Sequence, residues 1–343
     1  MSIKNIEINN FTVFNDIDIE FSDGINVIIG ENGTGKTHLM KSMYSMSKNS
    51  KDRMDLLNDY FPSKSDYDFI SDKSKPLVLT MGIEKGGKSE LNGLTYINGL
   101  TMNHDDNLNI RITGNKNQIT KVEYTNKEII TVYIPAKDIL THSEGFVSLF
   151  DERYIPFDKS YKDIVSKSLL TNLKKTPVLG EAILPKIEKI IDGKVSVENE
   201  VFYIEKSNGA KVQFSLEAEG VKKIAILWKL IMNGSITKGS VLFWDEPEAN
   251  INPKLLRDVA EILLELSRNG VQIFIASHNY VLAKYIEVLM KDSDEVSFHS
   301  LYKTENDGVK CESNRNFRDL EHNSIISSFD KLLDEVFDLN IGD

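Results

Sequence analysis

Three short stretches of this sequence combine residue types and spacings that can do chemistry. Residues 30–37 read GENGTGKT, with Gly30, Gly33 and Gly35 followed by Lys36 and Thr37. The order G-x-x-x-x-G-K-T suits a loop whose backbone N–H groups wrap a phosphate, because Gly33 and Gly35 put no side chain in the way and accept positive φ. Lys36 then reaches the β- and γ-phosphates of a nucleoside triphosphate, and the Thr37 hydroxyl ligates Mg²⁺. The second stretch, VLFWDEPEAN at 241–250, offers Asp245 to hold Mg²⁺ through water and Glu246 as general base toward an attacking water. The third, IFIASHN at 273–279, carries His278, whose imidazole N–H can donate toward the γ-phosphate.

These groups work together only if the chain sets them on neighbouring strand ends. INVIIG at 25–30 is an apolar run leading straight into the glycine loop, and a helix pattern starts from that loop over 36–48. The helix N-terminus carries about half a positive charge toward the phosphates. Asp245 and His278 each close an apolar run of buried-strand type, and open α/β sheets bind ligands at the carboxyl ends of their strands. Contacts to the nucleoside triphosphate are therefore expected from Gly30, Glu31, Asn32, Gly33, Thr34, Gly35, Lys36, Thr37 and His38. As a side chain, His38 reads as surface or core filler, like His104, His142, His299 and His322. His278 stands apart because it ends the next strand after Asp245.

The rest of the chain supplies the frame. Period-two alternation over the first thirty residues reads as strands, with turns at Asn9-Asn10, Asn15-Asp16 and Asp23-Gly24. Residues 50–75 read as a polar loop with a short helix at LLNDYF, and 76–133 as β-structure with turns such as ITGNKNQIT. Residues 137–192 look helical, interrupted at Pro156, Pro177 and Pro185. A hairpin over 194–216 follows, then helices near 219–233, 253–269 and 280–291, strands around 296–303 and a last helix near 323–338. The fold class expected is α/β: a nucleotide-binding core with a mixed central sheet and an antiparallel β region, interrupted by a helical insertion. Its parts are an N-terminal lobe at 1–136, the insertion at 137–195 and a C-terminal lobe at 196–343.

Bulk properties narrow the class further. A chain of 343 residues suggests about two domains, or one large domain with insertions. Its single cysteine, Cys311, forms no internal disulfide, which fits a reducing cytoplasm. No apolar run approaches the roughly 20 residues of a membrane span, and the N-terminus lacks the apolar core of a signal peptide. A cytoplasmic protein without membrane association is expected. The net charge of −11 argues against nucleic acid coating the whole surface. Residues 159–194 nevertheless hold eight lysines against Asp163, Glu181, Glu188 and Asp192. With Tyr154 and Tyr161 nearby, this segment is either a basic face for DNA or a helical insertion with lysines on its wet side.

The segments NFTVFNDIDIEFSDGINVIIGENGTGKTHL, LFWDEPEANINP and IFIASHN resemble the ABC-type ATPase superfamily, within it the RecF/SMC/OLD-like group. The second is similar to that group's D-E-P-E-x-x-L-H-P, with Ile251 and Asn252 in place of Leu and His. The resemblance implies a P-loop ATPase head using ATP and Mg²⁺ and working as a head-to-tail dimer or higher oligomer. In such a dimer a signature loop contacts the γ-phosphate held by the other copy. Here Ala218, Glu219 and Gly220 stand where Ser-x-Gly is usual, and in the helix after them Lys222 and Lys223 read either as charges in trans or as solvated helix residues. DSDE at 292–295 imitates the acidic motif of a Toprim nuclease domain but reads as a polar loop. With 65 residues after His278 (343 − 278), no room for such a domain is expected. The chain also looks like ATPase subunits of anti-phage systems of the Septu, PARIS and retron-linked type, so a separate effector, a nuclease or toxin, is the expected partner. Two other readings stay open: a DNA-repair or chromosome-maintenance ATPase that binds DNA itself, and a scaffold that binds ATP without hydrolysing it. A transporter ATPase fits least, because the full signature sequence and a Q-loop glutamine are missing.

Overall fold

The N-terminal alternation folds into a hairpin of β1 (Ser2–Phe11) and β2 (Phe14–Glu20), where Ile6 faces Ile19 and Ile8 faces Ile17, all buried. The computed structural model describes residues 1–48, 53–62, 69–72, 75, 77–85, 88–97, 100–105, 129–153, 155–305 and 307–341. The turn expected within 112–120 and Tyr154 lie outside them. β3 (Ile25–Gly30) is buried throughout and passes through the glycine loop into α1 (Lys36–Met46). After α2 (Arg53–Tyr60), three strands join the hairpin: β4 (Leu77–Lys85), β5 (Lys88–Ile97) and β6 (Leu100–Asp105). Together they make an antiparallel sheet of order β2-β1-β4-β5-β6. β7 (Thr131–Ile134) leaves that sheet and pairs parallel with a strand more than a hundred residues later.

Three helices follow: α3 (Phe146–Glu152), α4 (Lys159–Leu169) and α5 (Val178–Ile191). Pro156 and Pro177 fall outside them, but the interruption expected at Pro185 does not occur, because Pro185 lies inside α5. Leu179, Ile183, Leu184, Ile187 and Ile191 form a buried stripe on that helix. Packing of such a stripe outweighs one missing backbone donor. The expected hairpin is a three-stranded sheet of β8 (Gly193–Glu198), β9 (Val201–Lys206) and β10 (Lys211–Gln213). Strands and helices then alternate: α6 (Glu219–Met232), β11 (Val241–Asp245), α7 (Leu256–Arg268), β12 (Gln272–Ala276) and α8 (Tyr280–Leu289). β13 (Val296–Thr304), β14 (Gly308–Asn314) and α9 (Ser324–Ile341) close the chain.

The central sheet has the order β14-β13-β3-β12-β11-β7, parallel except for the edge strand β14. Strands β3, β7, β11 and β12 are buried along both faces because both are covered, whereas β13 and the edge strand β14 are partly exposed. Val27, Ile29, Leu242, Trp244, Ile273 and Ile275 point into one cluster with α4 to α8, while Ile28, Phe243, Phe274 and Ala276 point into another with α1 and the β1–β2 hairpin. The register sets Asp245 beside Ala276, and Ala276 beside Ile28. Three chain segments distant in sequence thus leave the sheet at one edge: the glycine loop after β3, the acidic turn after β11 and the histidine turn after β12.

Candidate nucleotide-binding site

Gly30, Gly33 and Gly35 all have φ in the left-handed region, at 143°, 76° and 92°. Gly35 precedes α1, and a Cβ there would come within 2.6 Å of Val13 and Phe14 at the tip of the β1–β2 hairpin. The third glycine of the loop is therefore required by packing as well as by dihedral angle. Thr34 is buried and donates its hydroxyl to Glu31 O at 2.8 Å, closing the loop on itself. Glu31, Asn32 and Gly33 remain exposed at its rim.

Lys36 is buried and donates its ammonium to Gly30 O at 2.8 Å and Glu31 O at 2.9 Å. Burial pushes its pKa down to about 8, against the pull of Asp245, Glu246 and Glu248. Thr37 Oγ1 donates to Asp245 Oδ2 at 3.0 Å, and Tyr133 of β7 donates to the same oxygen at 3.2 Å. Asp245 is 5% exposed, and burial raises its pKa although both hydroxyls stabilise the ionised form. A hydroxyl and a carboxylate in contact, beside a loop built for phosphate, are hard oxygen donors of the kind Mg²⁺ takes along with phosphate and water. Among the described residues there is no group of three or more His, Cys, Asp or Glu side chains that could hold a metal ion.

Glu246 follows Asp245 with φ of 48°, a left-handed conformation that costs a non-glycine residue on the order of 1 kcal/mol. Its N–H donates to Ala276 O at 2.9 Å, and its carbonyl accepts from Lys223 Nζ at 2.8 Å. The side chain comes within 3.9 Å of His278 Nε2. Burial and then Lys36 hold the His278 pKa below its ordinary value, favouring the neutral imidazole. Pro247 and Glu248 continue the turn. Asn252, in the position of the family histidine, caps the short helical turn at Pro253–Leu255 by accepting from Lys254 N.

Of the remaining candidates, His38, residues 218–220 and the DSDE loop stand as filler, helix start and polar loop, whereas Lys222 and Lys223 do not stand as expected. His38 turns its ring edge-on to Phe61 at 5.6 Å, leaving its backbone as its share of the loop. Ala218 precedes α6 and Glu219 pairs with Lys222. A Cβ on Gly220 would lie 2.7 Å from Asn250 O, so this glycine lets α6 pack against the chain leaving the acidic turn. Lys222 and Lys223, expected either to act on a second copy or to be solvated, turn inward instead. Lys222 lies between Asp138 and Glu219, and Lys223 is spent on the Glu246 carbonyl; both are almost fully buried. Asp294 of the DSDE loop binds Arg268 at 2.6 Å, a structural ion pair.

Sequence reasoning missed Tyr133, Glu248 and Lys303. Glu248 accepts hydrogen bonds from Ser277 Oγ and His278 N, and Lys303 of β13 stands beside Gly33. The proximity of an acidic residue to its own DEPE run was a usable signal for Glu248 alone. In the lysine-rich segment, Lys159 pairs with Asp59, Lys162 with Asp151 and Lys186 with Glu261, while Lys174 and Lys175 stand exposed in the turn between α4 and α5. Asp158 at the start of α4 binds Lys41 at 2.6 Å, and Asp163 accepts from Tyr44 and Tyr60, docking this segment on α1 and α2. Among the described residues no helix is long and apolar enough to cross a membrane.

The family described as "AAA domain, putative AbiEii toxin, Type IV TA system" matches residues 47–284, more than half of the chain. A DNA replication and repair protein RecF from Pediococcus pentosaceus is 35% identical over 85 residues, 25% of this chain and 20% of that protein. The energy-coupling factor transporter ATP-binding protein EcfA2 of Ureaplasma parvum is 26% identical over 237 residues, 65% of this chain and 50% of that protein. These matches thus span half or less of each relative's length. The SMC head domain from Thermotoga maritima superposes with a TM-score of 0.52 at 15% identity, covering 91% of this chain and 98% of that one. An SMC head bound to the C-winged helix domain of ScpA superposes with a TM-score of 0.59 at 13% identity, covering 93% and 99%. The mixed-sheet fold is that of an SMC-type, ABC-like ATPase head.

Proposed function

Because the chain belongs to the AAA-domain family matched over residues 47–284, we propose that it binds and hydrolyses Mg·ATP, and that nucleotide-driven association of two copies gates a partner effector in anti-phage defence. The observation that carries the catalytic part is the convergence of Lys36, Thr37, Asp245, Glu246 and His278 at one sheet edge, with Thr37 and Asp245 in contact at 3.0 Å. In this reading the loop N–H groups and Lys36 bind the triphosphate, and Thr37 and Asp245 hold Mg²⁺. When bound, Mg²⁺ neutralises charge on the phosphate oxygens. Glu246 takes a proton from the attacking water, and His278 donates its N–H to the phosphoryl group.

The effector part draws on the resemblance to ATPase subunits of anti-phage systems; the matched family's own description, a putative toxin of a toxin–antitoxin system, names no partner. In this reading the partner is a nuclease or toxin on a separate chain. The RecF similarity supports a second reading, a repair ATPase that holds DNA itself, for which Lys174 and Lys175 are among the exposed candidates.

Glu246→Gln tests the catalytic assignment. It removes the base while keeping size and hydrogen-bonding capacity, so turnover should fall by about 10²–10⁴. Mg·ATP should still bind, and an ATP-loaded dimer should accumulate in light scattering. An unchanged hydrolysis rate sinks the base assignment, and a parent protein that takes up no Mg·ATP in calorimetry sinks the reading as a whole.

A further inference from the structure

Glu248 has no part in the chemistry proposed above, yet it is tied to the turn that carries His278. Its Oε1 accepts from the Ser277 hydroxyl at 2.8 Å and from the His278 backbone N–H at 3.0 Å. Its Oε2 is buried with no hydrogen-bond partner. Ser277 is fully buried; it donates its N–H to Ile28 O at 3.0 Å and accepts from Asn279 N with its hydroxyl. Asn279 in turn caps α8 by accepting from Leu282 N at 2.9 Å. The His278 ring, by contrast, is 36% exposed and stands 3.9 Å from Glu246. Its placement is therefore set through its backbone, and the side chain that fixes this backbone from the acidic turn is Glu248.

Resting on the reading above, we propose that Glu248 is a positioning residue that locks the 277–279 turn to the Glu246 turn, so that the imidazole and the base face the same phosphoryl group. A carboxyl half withdrawn from solvent with one oxygen unsatisfied costs stability, on the order of 1–3 kcal/mol for a buried unpaired polar atom. A purely structural linker would be better served by a smaller group such as serine. What Glu248 adds is two hydrogen bonds from one oxygen to two successive residues, which fix both the position and the direction of the peptide bearing His278. Burial also pushes the Glu248 carboxyl above its ordinary pKa, so the neutral amide of glutamine is its closest replacement.

A double-mutant cycle in steady-state hydrolysis separates positioning from stability. His278→Ala should lower kcat by about 10²-fold, the scale of a positioned proton donor. Glu248→Ala should lower kcat at least about tenfold with nucleotide Kd within about twofold, and Glu248→Gln should restore most of the loss, since its amide oxygen accepts both bonds. In the His278→Ala background, removing Glu248 should cost less than about twofold more, because its effect runs through a ring already gone. Should Glu248→Ala fail to fold, Ser277→Ala removes one of the two donors and should give a smaller kcat loss that likewise vanishes without His278. Equal losses with and without His278, or an unchanged kcat, overturn the proposal while leaving Mg·ATP hydrolysis intact. A parent protein that neither binds nor hydrolyses Mg·ATP overturns this proposal and the function it rests on together.

Discussion

Two lysine-bearing regions of this molecule treat the same side chain in opposite ways. At the carboxyl edge of the parallel strands, Lys36 is buried and its hydrogen bonds go to two backbone carbonyls, with burial driving its pKa down to about 8. Along α4 and α5, Lys159, Lys162 and Lys186 sit part-exposed beside Asp59, Asp151 and Glu261. A buried cation whose hydrogen bonds go to neutral acceptors carries a desolvation cost that the nearby Asp245, Glu246 and Glu248 offset only in part, and an anion arriving later relieves the rest. A part-exposed cation beside an acid has spent most of its field, and such surface pairs hold elements together weakly. In the proposed reading the glycine loop is a binding device, while much of the lysine-rich segment secures helices to their neighbours.

The largest expected effect breaks the first half of the contrast. Lys36→Ala removes a cation poised for charge-assisted hydrogen bonds to phosphate, each on the order of 1.5–3 kcal/mol. Mg·ATP affinity by calorimetry should fall by about 10²-fold or more, while thermal stability holds or rises slightly. Equal affinity in the variant would mean that the loop N–H groups do the binding unaided.

A residue that crosses the division sharpens it. Lys229 lies among the helices, buried, donating to Asn172 Oδ1 at 2.6 Å, and burial lowers its pKa to about 8 as well. Its folded pKa lies below the ordinary 10.5, so between about pH 8 and 10.5 the unfolded chain holds a proton that the folded chain has released. Stability therefore rises with pH across that window. Lys36 and Lys223 push the same way. Lys229→Met should remove up to one proton from that difference, flattening the slope seen in chemical denaturation at pH 8–10.5, with Mg·ATP affinity unchanged. A loss of affinity would make Lys229 part of the nucleotide machinery and erase the distinction.

How far the sequence reaches follows from how local each signal is. The glycine loop, Asp245, Glu246 and His278 sit where short apolar runs end, so spacing within a dozen residues placed them on strand ends. The order β3-β12-β11 that brings those ends together is a tertiary fact, supported in the sequence only by strands alternating with helices. Tyr133 reaches Asp245 because β7 pairs with β11 across more than a hundred residues, and no local pattern marks a tyrosine for that contact. Lys222 and Lys223 read as exposed helix charges because their acceptors, Asp138 and the Glu246 carbonyl, lie far off in the chain. Pro185 misled for the reverse reason: the local rule is sound, but the buried stripe of α5 overrides it.

The smallest expected effect tests what remains of the second half. Lys174 and Lys175 stand exposed in the turn between α4 and α5, so each can change without disturbing a packed neighbour. Reversing both to glutamate should shift the unfolding midpoint by no more than the equivalent of about 0.5 kcal/mol. ATP turnover without DNA should be unaltered, since the turn belongs to none of the three segments at the nucleotide edge. If the protein holds DNA through this face, losing two phosphate contacts should weaken binding and lessen the dependence of log K on log salt by roughly two units. Should fluorescence anisotropy with duplex DNA instead return the same affinity and salt slope for both proteins, the lysines of this segment would be structural or merely solvated. The repair-type reading would then lose this turn and have to rest on the other exposed lysines of the segment, Lys186, Lys189 and Lys194.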